Sequence, residues 1–204
     1  MRSRFRVQLT ISFYLAVFLF AGCAETTMTP TFRATRGLVR PDRVLVFEFA
    51  ATPEEAGVDR RPGFVGQTDE EVRVGRALAR SLSGHLVSEL RSRGIEAEHA
   101  SENAAPGETT ASVRGRFLRS DRSDSTGSAV VGFALRGGQV RTRVQLFQGT
   151  GLKLQLVGEG ETVTASGLKP GTTPNATIDA DAKRVAQALA QRIEDYYRQE
   201  GWIK

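Results

Sequence analysis

From Val74 to Leu90 an aliphatic residue returns at every fourth position: Val74, Leu78, Leu82, Leu86 and Leu90. That spacing lays one apolar stripe along a helix, and the stripe has to be buried against another layer. Thr68 through Glu71 has the form of a capping box, in which a hydroxyl and a carboxylate satisfy the exposed amides of the first turn. Arg91 and Arg93 suit the last turn, and Gly94 supplies the left-handed stop. The flanking segments say what the helix covers. Val44-Leu45-Val46-Phe47-Glu48-Phe49 is a short, nearly continuous apolar run, the pattern of a strand covered on both faces and expected to lie centrally in its sheet. Ile95 to His99 reads as a second strand, parallel to the first through a right-handed crossover. Residues 50 to 67, with Pro53, Gly57, Pro62, Gly63 and Gly66, form a long connecting loop, either mobile or functional.

Farther along, Ala111 to Phe117 and Val140 to Leu146 alternate with period two, so each is expected to have one wet face. Between them, Asp121 to Gly138 is rich in Ser, Asp and Gly. Gln148-Gly149-Thr150-Gly151 reads as a hairpin turn into a further strand extending to Thr164, with Leu152, Leu154 and Leu156 expected to face in and Lys153 and Gln155 out. Pro170 and Pro174 break the pattern before a closing helix from about Thr177 to Glu200, with Val185, Leu189, Ile193 and Tyr196 as its buried stripe. The expected fold is α/β of the two-layer α+β kind: a mixed sheet of about five strands with two long helices on one face.

The first residues carry a different message. Arg2, Arg4 and Arg6 precede an apolar stretch from Ile11 to Phe20, followed by Ala21 and Gly22, which is the grammar of a signal peptide. The stretch is short for a spanning helix, which needs about 20 apolar residues, although an uncleaved anchor is the alternative. The chain has a formal charge of +5. Removing residues 1 to 22 takes away three arginines and no acid, leaving 25 basic against 23 acidic side chains. So small a balance offers no electrostatic case for nucleic-acid binding. A single cysteine, Cys23, excludes an internal disulfide and any multi-cysteine metal site.

Leu19-Phe20-Ala21-Gly22-Cys23 resembles the lipobox of bacterial lipoproteins, with Phe20 departing from the usual aliphatic residue. The resemblance implies signal-peptidase recognition at Leu19, Phe20, Ala21 and Gly22, and fatty acyl chains of the palmitate kind on Cys23 as the new N-terminus. Ala24, rather than aspartate, resembles the pattern for transfer to the outer membrane. The domain organisation expected is a signal peptide at 1–22, a tether at 23–42 and one periplasmic domain at 43–204. That domain resembles the uncharacterised bacterial lipoproteins of domain of unknown function 4410 over about residues 40 to 200. The likeness rests on Glu48-Phe49, the glycine-rich stretch Gly127 to Gly138, and the strand and turn Val140 to Gly151. It implies fold and cell-envelope address but no activity. Glu48 and Gln148 stand where many members carry aspartate and an acid. More distantly, the strand-helix-strand start resembles small modules of envelope lipoproteins that activate cell-wall synthases or build secretion pores.

The inventory of reactive groups is thin. His85 and His99 lack metal-ligand spacing to each other or to an acid, so neither a metal nor another cofactor is expected. No Gly-x-Ser-x-Gly elbow occurs, and Gly127 to Gly138 lacks the lysine and hydroxyl of a phosphate loop. Glu48 is the acid expected to be partly buried and hence suited to acid–base work; more commonly such a strand-end glutamate simply meets a backbone amide or an arginine. Arg114 and Arg116 share one strand face, as do Arg141 and Arg143. If those strands pair, the four guanidinium groups make a basic face for an anionic partner: an envelope protein, cell wall or anionic lipid. The competing expectation pairs these arginines with Glu159 and Glu161 on the next strand. The function expected is a non-enzymatic binding or assembly module held to the membrane by its lipid; the alternative is a hydrolase or transferase on cell-wall or lipid material using Glu48 or an unrecognised site.

Overall fold

The computed structural model describes residues 27–32, 38–59, 66–101, 104, 109–120, 129–134, 139–150, 153–166 and 175–204. In chain order its elements are β1 (Thr27–Phe32), β2 (Arg43–Val46), α1 (Asp69–Ser92), β3 (Ala97–His99), β4 (Thr110–Ser120), β5 (Ala129–Val131), β6 (Gln139–Thr150), β7 (Lys153–Ala165) and α2 (Asn175–Gln199). One mixed sheet has the order β1-β7-β6-β4-β2-β3, with β5 paired to the end of β4. β2 is parallel to both β3 and β4, while the β4-β6, β6-β7 and β7-β1 pairs are antiparallel. The two helices lie on one face, as the apolar stripes require.

α1 starts and stops where its punctuation places it. The Thr68 hydroxyl accepts from the Glu71 amide at 3.2 Å and the Glu71 carboxylate from the Thr68 amide at 3.0 Å, a reciprocal cap whose loss costs about 1 kcal/mol. Gly94 follows at φ +75°, which a side chain resists. Leu78, Leu82, Leu86 and Leu90 are fully buried, as are Val185, Leu189, Ile193 and Tyr196 of α2 apart from a few per cent. The helices run parallel to each other and are joined along their length. Ser81 and His85 meet Asp179, and Gln187 meets Glu89. At the far end Arg93 meets both Gln191 and Glu194.

β2 is covered on both faces, with Val44, Leu45 and Val46 no more than 4% exposed. It is not central, however. Among the described residues the three-residue β3 alone lies beyond it, so its hydrophobicity reflects the burial of its side chains on both faces rather than a mid-sheet position. After Val46 the strand slips. Val46 is level with Val113, but Ala50 is level with Arg116, so four residues on one chain match three on the other. The extra residue turns Glu48 out to solvent and Phe49 into the core, where its ring lies over Gly115 and 5.5–6.4 Å separate the Phe49, Phe117 and Phe133 neighbours in turn.

A second slip lies between Leu146 and Phe147 of β6. Gly158 faces Leu146 and Leu156 faces Phe147, leaving Val157 as the additional residue. This corrects the expected facing of β7. Val157 is buried, but Leu154 and Leu156 are 44% and 40% exposed, because a bulge exchanges the two faces for everything on its far side. Leu152 lies outside the described residues.

Thr27–Phe32, expected to be part of a tether, instead forms β1 on the free edge of β7, Thr27 opposite Val163 and Phe32 opposite Gly158. A run of threonines has high strand propensity, and an open ladder edge offers it hydrogen bonds. The long loop after β2 is partly a built turn. Glu55 accepts from the Ala51 and Thr52 amides at 2.8 and 3.3 Å, and Gly57 takes φ +64°. Within the Ser/Gly-rich connection, β5 pairs with β4 and Phe133 enters the core.

Two predictions follow from this packing. A Cβ on Gly115 would come within 2.1 Å of the Phe49 ring, so Gly115→Ala is expected to destabilise the domain by about 1–3 kcal/mol in urea unfolding. The second concerns pH. Hydrogen bonds from His85 and then Ser81 hold Asp179 below the usual carboxylate range, as Arg93 and then Arg198 do for Glu194. A depressed native pKa contributes stability above the unfolded value and loses it as pH falls through the native one. The urea midpoint is therefore expected to fall as pH drops below about 4, and less steeply in Glu194→Gln.

Candidate functional site

Among the described residues, the sheet face turned away from α1 and α2 gathers the charged side chains singled out in the sequence. Alternation along β4 sends Ala111, Val113 and Phe117 toward the helices and Arg114 and Arg116 to the other side; along β6 it sends Val144 and Leu146 inward and Arg141, Arg143 and Gln145 outward. Because β4 and β6 are neighbours, the arginines fall into successive rows. Leu118 is opposite Arg141, Arg116 opposite Arg143, and Arg114 opposite Gln145. On the next strand Glu161 is opposite Arg143 and Glu159 opposite Gln145. All four arginines singled out in the sequence thus share one face, and so do the two glutamates.

The charges are only half compensated. Arg141 donates to Glu161 at 2.5 and 3.1 Å. Arg143 is more loosely held, 3.6 Å from Glu161 and 3.7 Å from Glu159. Partly exposed pairs of this kind contribute about 0.2–1 kcal/mol each. Arg114 lies with its guanidinium carbon 4.5 Å from the centroid of the Phe47 ring, a cation–π contact that fixes its direction and leaves its charge in place. Arg116 and Arg114 have no carboxylate within ion-pair distance among the described residues. Directly opposed like charges on neighbouring strands are destabilising, yet the Arg116–Arg143 pair is built into the register.

These side chains border an open groove of about 1010 Å³ at the end of β2. Arg114, Arg116 and Arg143 line it, Phe47 and Phe147 provide apolar surface, and Glu48 and Glu55 complete its charged lining with Arg76. The position fits the general tendency of α/β sheets to bind at the C-terminal ends of parallel strands.

Glu48 departs from the expectation of a partly buried acid. Its side chain is 55% exposed and 4.0 Å from Arg80, because the slip after Val46 pushes it outward. Glu55 is committed to Arg76 at 2.6 Å and to backbone amides. His85 spans the two helices through Asp179 at 2.7 Å, and His99 is exposed at the end of β3. Among the described residues no three His, Cys, Asp or Glu side chains gather around a common point, and no helix is long and apolar enough to cross a membrane. Cys23 and the recognition residues Leu19, Phe20, Ala21 and Gly22 lie outside the described residues.

Gln67 went unnoticed in the sequence. Its amide donates to the carbonyls of Ala51 and Phe133, both at 3.0 Å, joining the turn after β2 to the segment after β5. Only its place immediately before the capping threonine hinted at a role. The opposed arginines generate a direct expectation. Arg116→Thr should raise the urea midpoint, by a gain on the order of 0.2–1 kcal/mol, whereas Arg114→Thr, which faces Gln145 and loses the Phe47 contact, should not. Destabilisation by Arg116→Thr would show that the face is not strained by its charge.

No curated protein matches the chain. Among solved structures, the PelC dodecamer from Paraburkholderia phytofirmans is similar at 14% identity and TM-score 0.40, over 81% of this chain and 98% of that one. A DUF330 protein from Xanthomonas campestris gives 14% identity and TM-score 0.43, over 85% and 97%. A minor lipoprotein from Acinetobacter baumannii gives 13% identity and TM-score 0.27, over 76% and 94%. The family model for the domain of unknown function DUF4410 matches residues 44–180, and the chain belongs to that family.

Proposed function

We propose that this protein is a lipoprotein of the bacterial cell envelope, anchored through acylated Cys23 in the outer membrane, whose periplasmic domain binds an anionic envelope component without catalysis. The single observation behind the binding role is the helix-free sheet face, where four arginines meet two glutamates and Arg116 is set against Arg143 beside an open groove. An anion seated between Arg114 and Arg116 would relieve the repulsion and receive charge-assisted hydrogen bonds from planar, forked donors. The partner chemistry is phosphate or carboxylate, as borne by lipid, lipopolysaccharide, cell wall or an acidic protein surface. A binding role rather than hydrolysis accords with an exposed Glu48 and with a Glu55 already engaged by Arg76.

Two measurements test this. Mass spectrometry of the protein from its native host should find Cys23 acylated; a free thiol there would remove the anchor. Sedimentation with phosphate-bearing vesicles and with cell-wall fragments should show salt-sensitive binding to at least one of them. Arg114→Gln with Arg116→Gln should weaken it about tenfold, equivalent to ~1.4 kcal/mol. Binding that the double variant leaves intact would dismiss the basic face.

A further inference from the structure

The strand β1 shortens the leash. Were residues 23 to 42 a free tether, the domain would wander tens of ångströms from its anchor. With Thr27 already hydrogen-bonded to the sheet, only four Cα steps separate Cys23 from the folded body, a reach of at most about 14 Å. We infer that the domain stands on its membrane in one orientation, with a defined end of the sheet facing the lipid headgroups and the β6–β7 hairpin pointing away. This rests on the lipid proposed for Cys23.

The register identifies the two ends. Thr27 is level with Val163, Val163 with Arg141, Arg141 with Leu118, and Leu118 with Val131, so these residues form one row across five strands. Both helices begin at this end. Gln67, just before α1, holds Ala51 and Phe133, and Arg184 in the early part of α2 donates to the Ala165 carbonyl at 3.1 Å. At the other end, Lys153 lies ten residues back along β7 from Val163, about 33 Å away at strand rise. The exposed Leu154 and Leu156 belong to that far end, well beyond the reach of the bilayer that holds the anchor.

Charge does not supply the orientation. At the near end Glu55 is paired with Arg76, Glu161 with Arg141 and Asp181 with Arg184. Among the described residues these ions at the end of the sheet largely neutralise one another, while the unpaired Arg114 and Arg116 lie on the flat of the sheet, so the short covalent connection is what holds this end down.

The test uses the full lipidated chain in vesicles. Cys23 is the sole cysteine and its sulfur is consumed by the lipid, so a cysteine introduced by Gln139→Cys at the near end or Lys153→Cys at the far end can be labelled alone. Energy transfer from each label to an acceptor in the headgroup layer is then compared. The label at 139 is expected to transfer at least about twofold more efficiently, given a height difference on the order of 30 Å along the strand. The difference should be equal in phosphatidylcholine vesicles with and without phosphatidylglycerol. Inserting about 20 Gly/Ser residues after Ala24 should abolish it, since such a linker spans roughly 25 Å on average.

Equal transfer from both labels on vesicle-bound protein would overturn the orientation while leaving the anchor standing. A difference that survives the linker, or that needs phosphatidylglycerol, would show that some other contact sets it and would equally overturn the inference. Protein that carries an unmodified thiol at Cys23 and stays off the vesicles would refute the anchor itself, and the orientation with it.

Discussion

A strand shows its side chains to two faces by turns, so one additional residue exchanges the faces of everything beyond it. The sheet does this twice, and much of the surface chemistry depends on it. After Val46 the slip brings Phe49 down over Gly115 and lifts Glu48 out. At Val157 it turns Leu154 and Leu156 away from the helices. Without the first slip the aromatic cluster of Phe49, Phe117 and Phe133 would lose a member to solvent. Without the second, the end of the hairpin would carry its polar residues outward and its leucines in. Leaving both leucines partly exposed costs about 25 cal/mol per Å² of apolar surface, so the bulge works against burial at the end of the hairpin.

The layer of helices and the open face divide the labour of the molecule. α1 and α2 bury the aliphatic stripes and are fastened to each other by Asp179 and Glu194. With one face closed in this way, the rows of Arg114, Arg116, Arg141 and Arg143 on the other are displayed from a firm backing. A ligand site on a sheet costs little reorganisation, because the strands already fix the spacing of its side chains. Gln67 adds a cross-link between the turn after β2 and the segment after β5.

Much of this was legible in the chain. The four-residue aliphatic spacing and the Thr68 and Gly94 punctuation located α1 within a residue or so, since those signals are local. The grouping of the arginines was legible too, because pairing two alternating strands leaves only two possible faces. The slips were not legible, because a bulge depends on which residue of the partner strand it faces, and that is a long-range fact. Glu48 and the β7 leucines were misassigned for this one reason. β1 escaped notice because Thr-rich sequence reads equally as a loop, and only the free edge of β7 decides between them. Phe133 was hidden in a stretch whose Ser, Asp and Gly content masked a single core residue.

The sheet finishes on two modest borders. On one side β3 has three residues, and on the other β1 contains Pro30, which has no amide hydrogen to donate. Where copies of a protein crowd together, an unguarded strand invites zippering into fibrous assemblies. These borders leave such a neighbour little to grip, so crowding need not become aggregation.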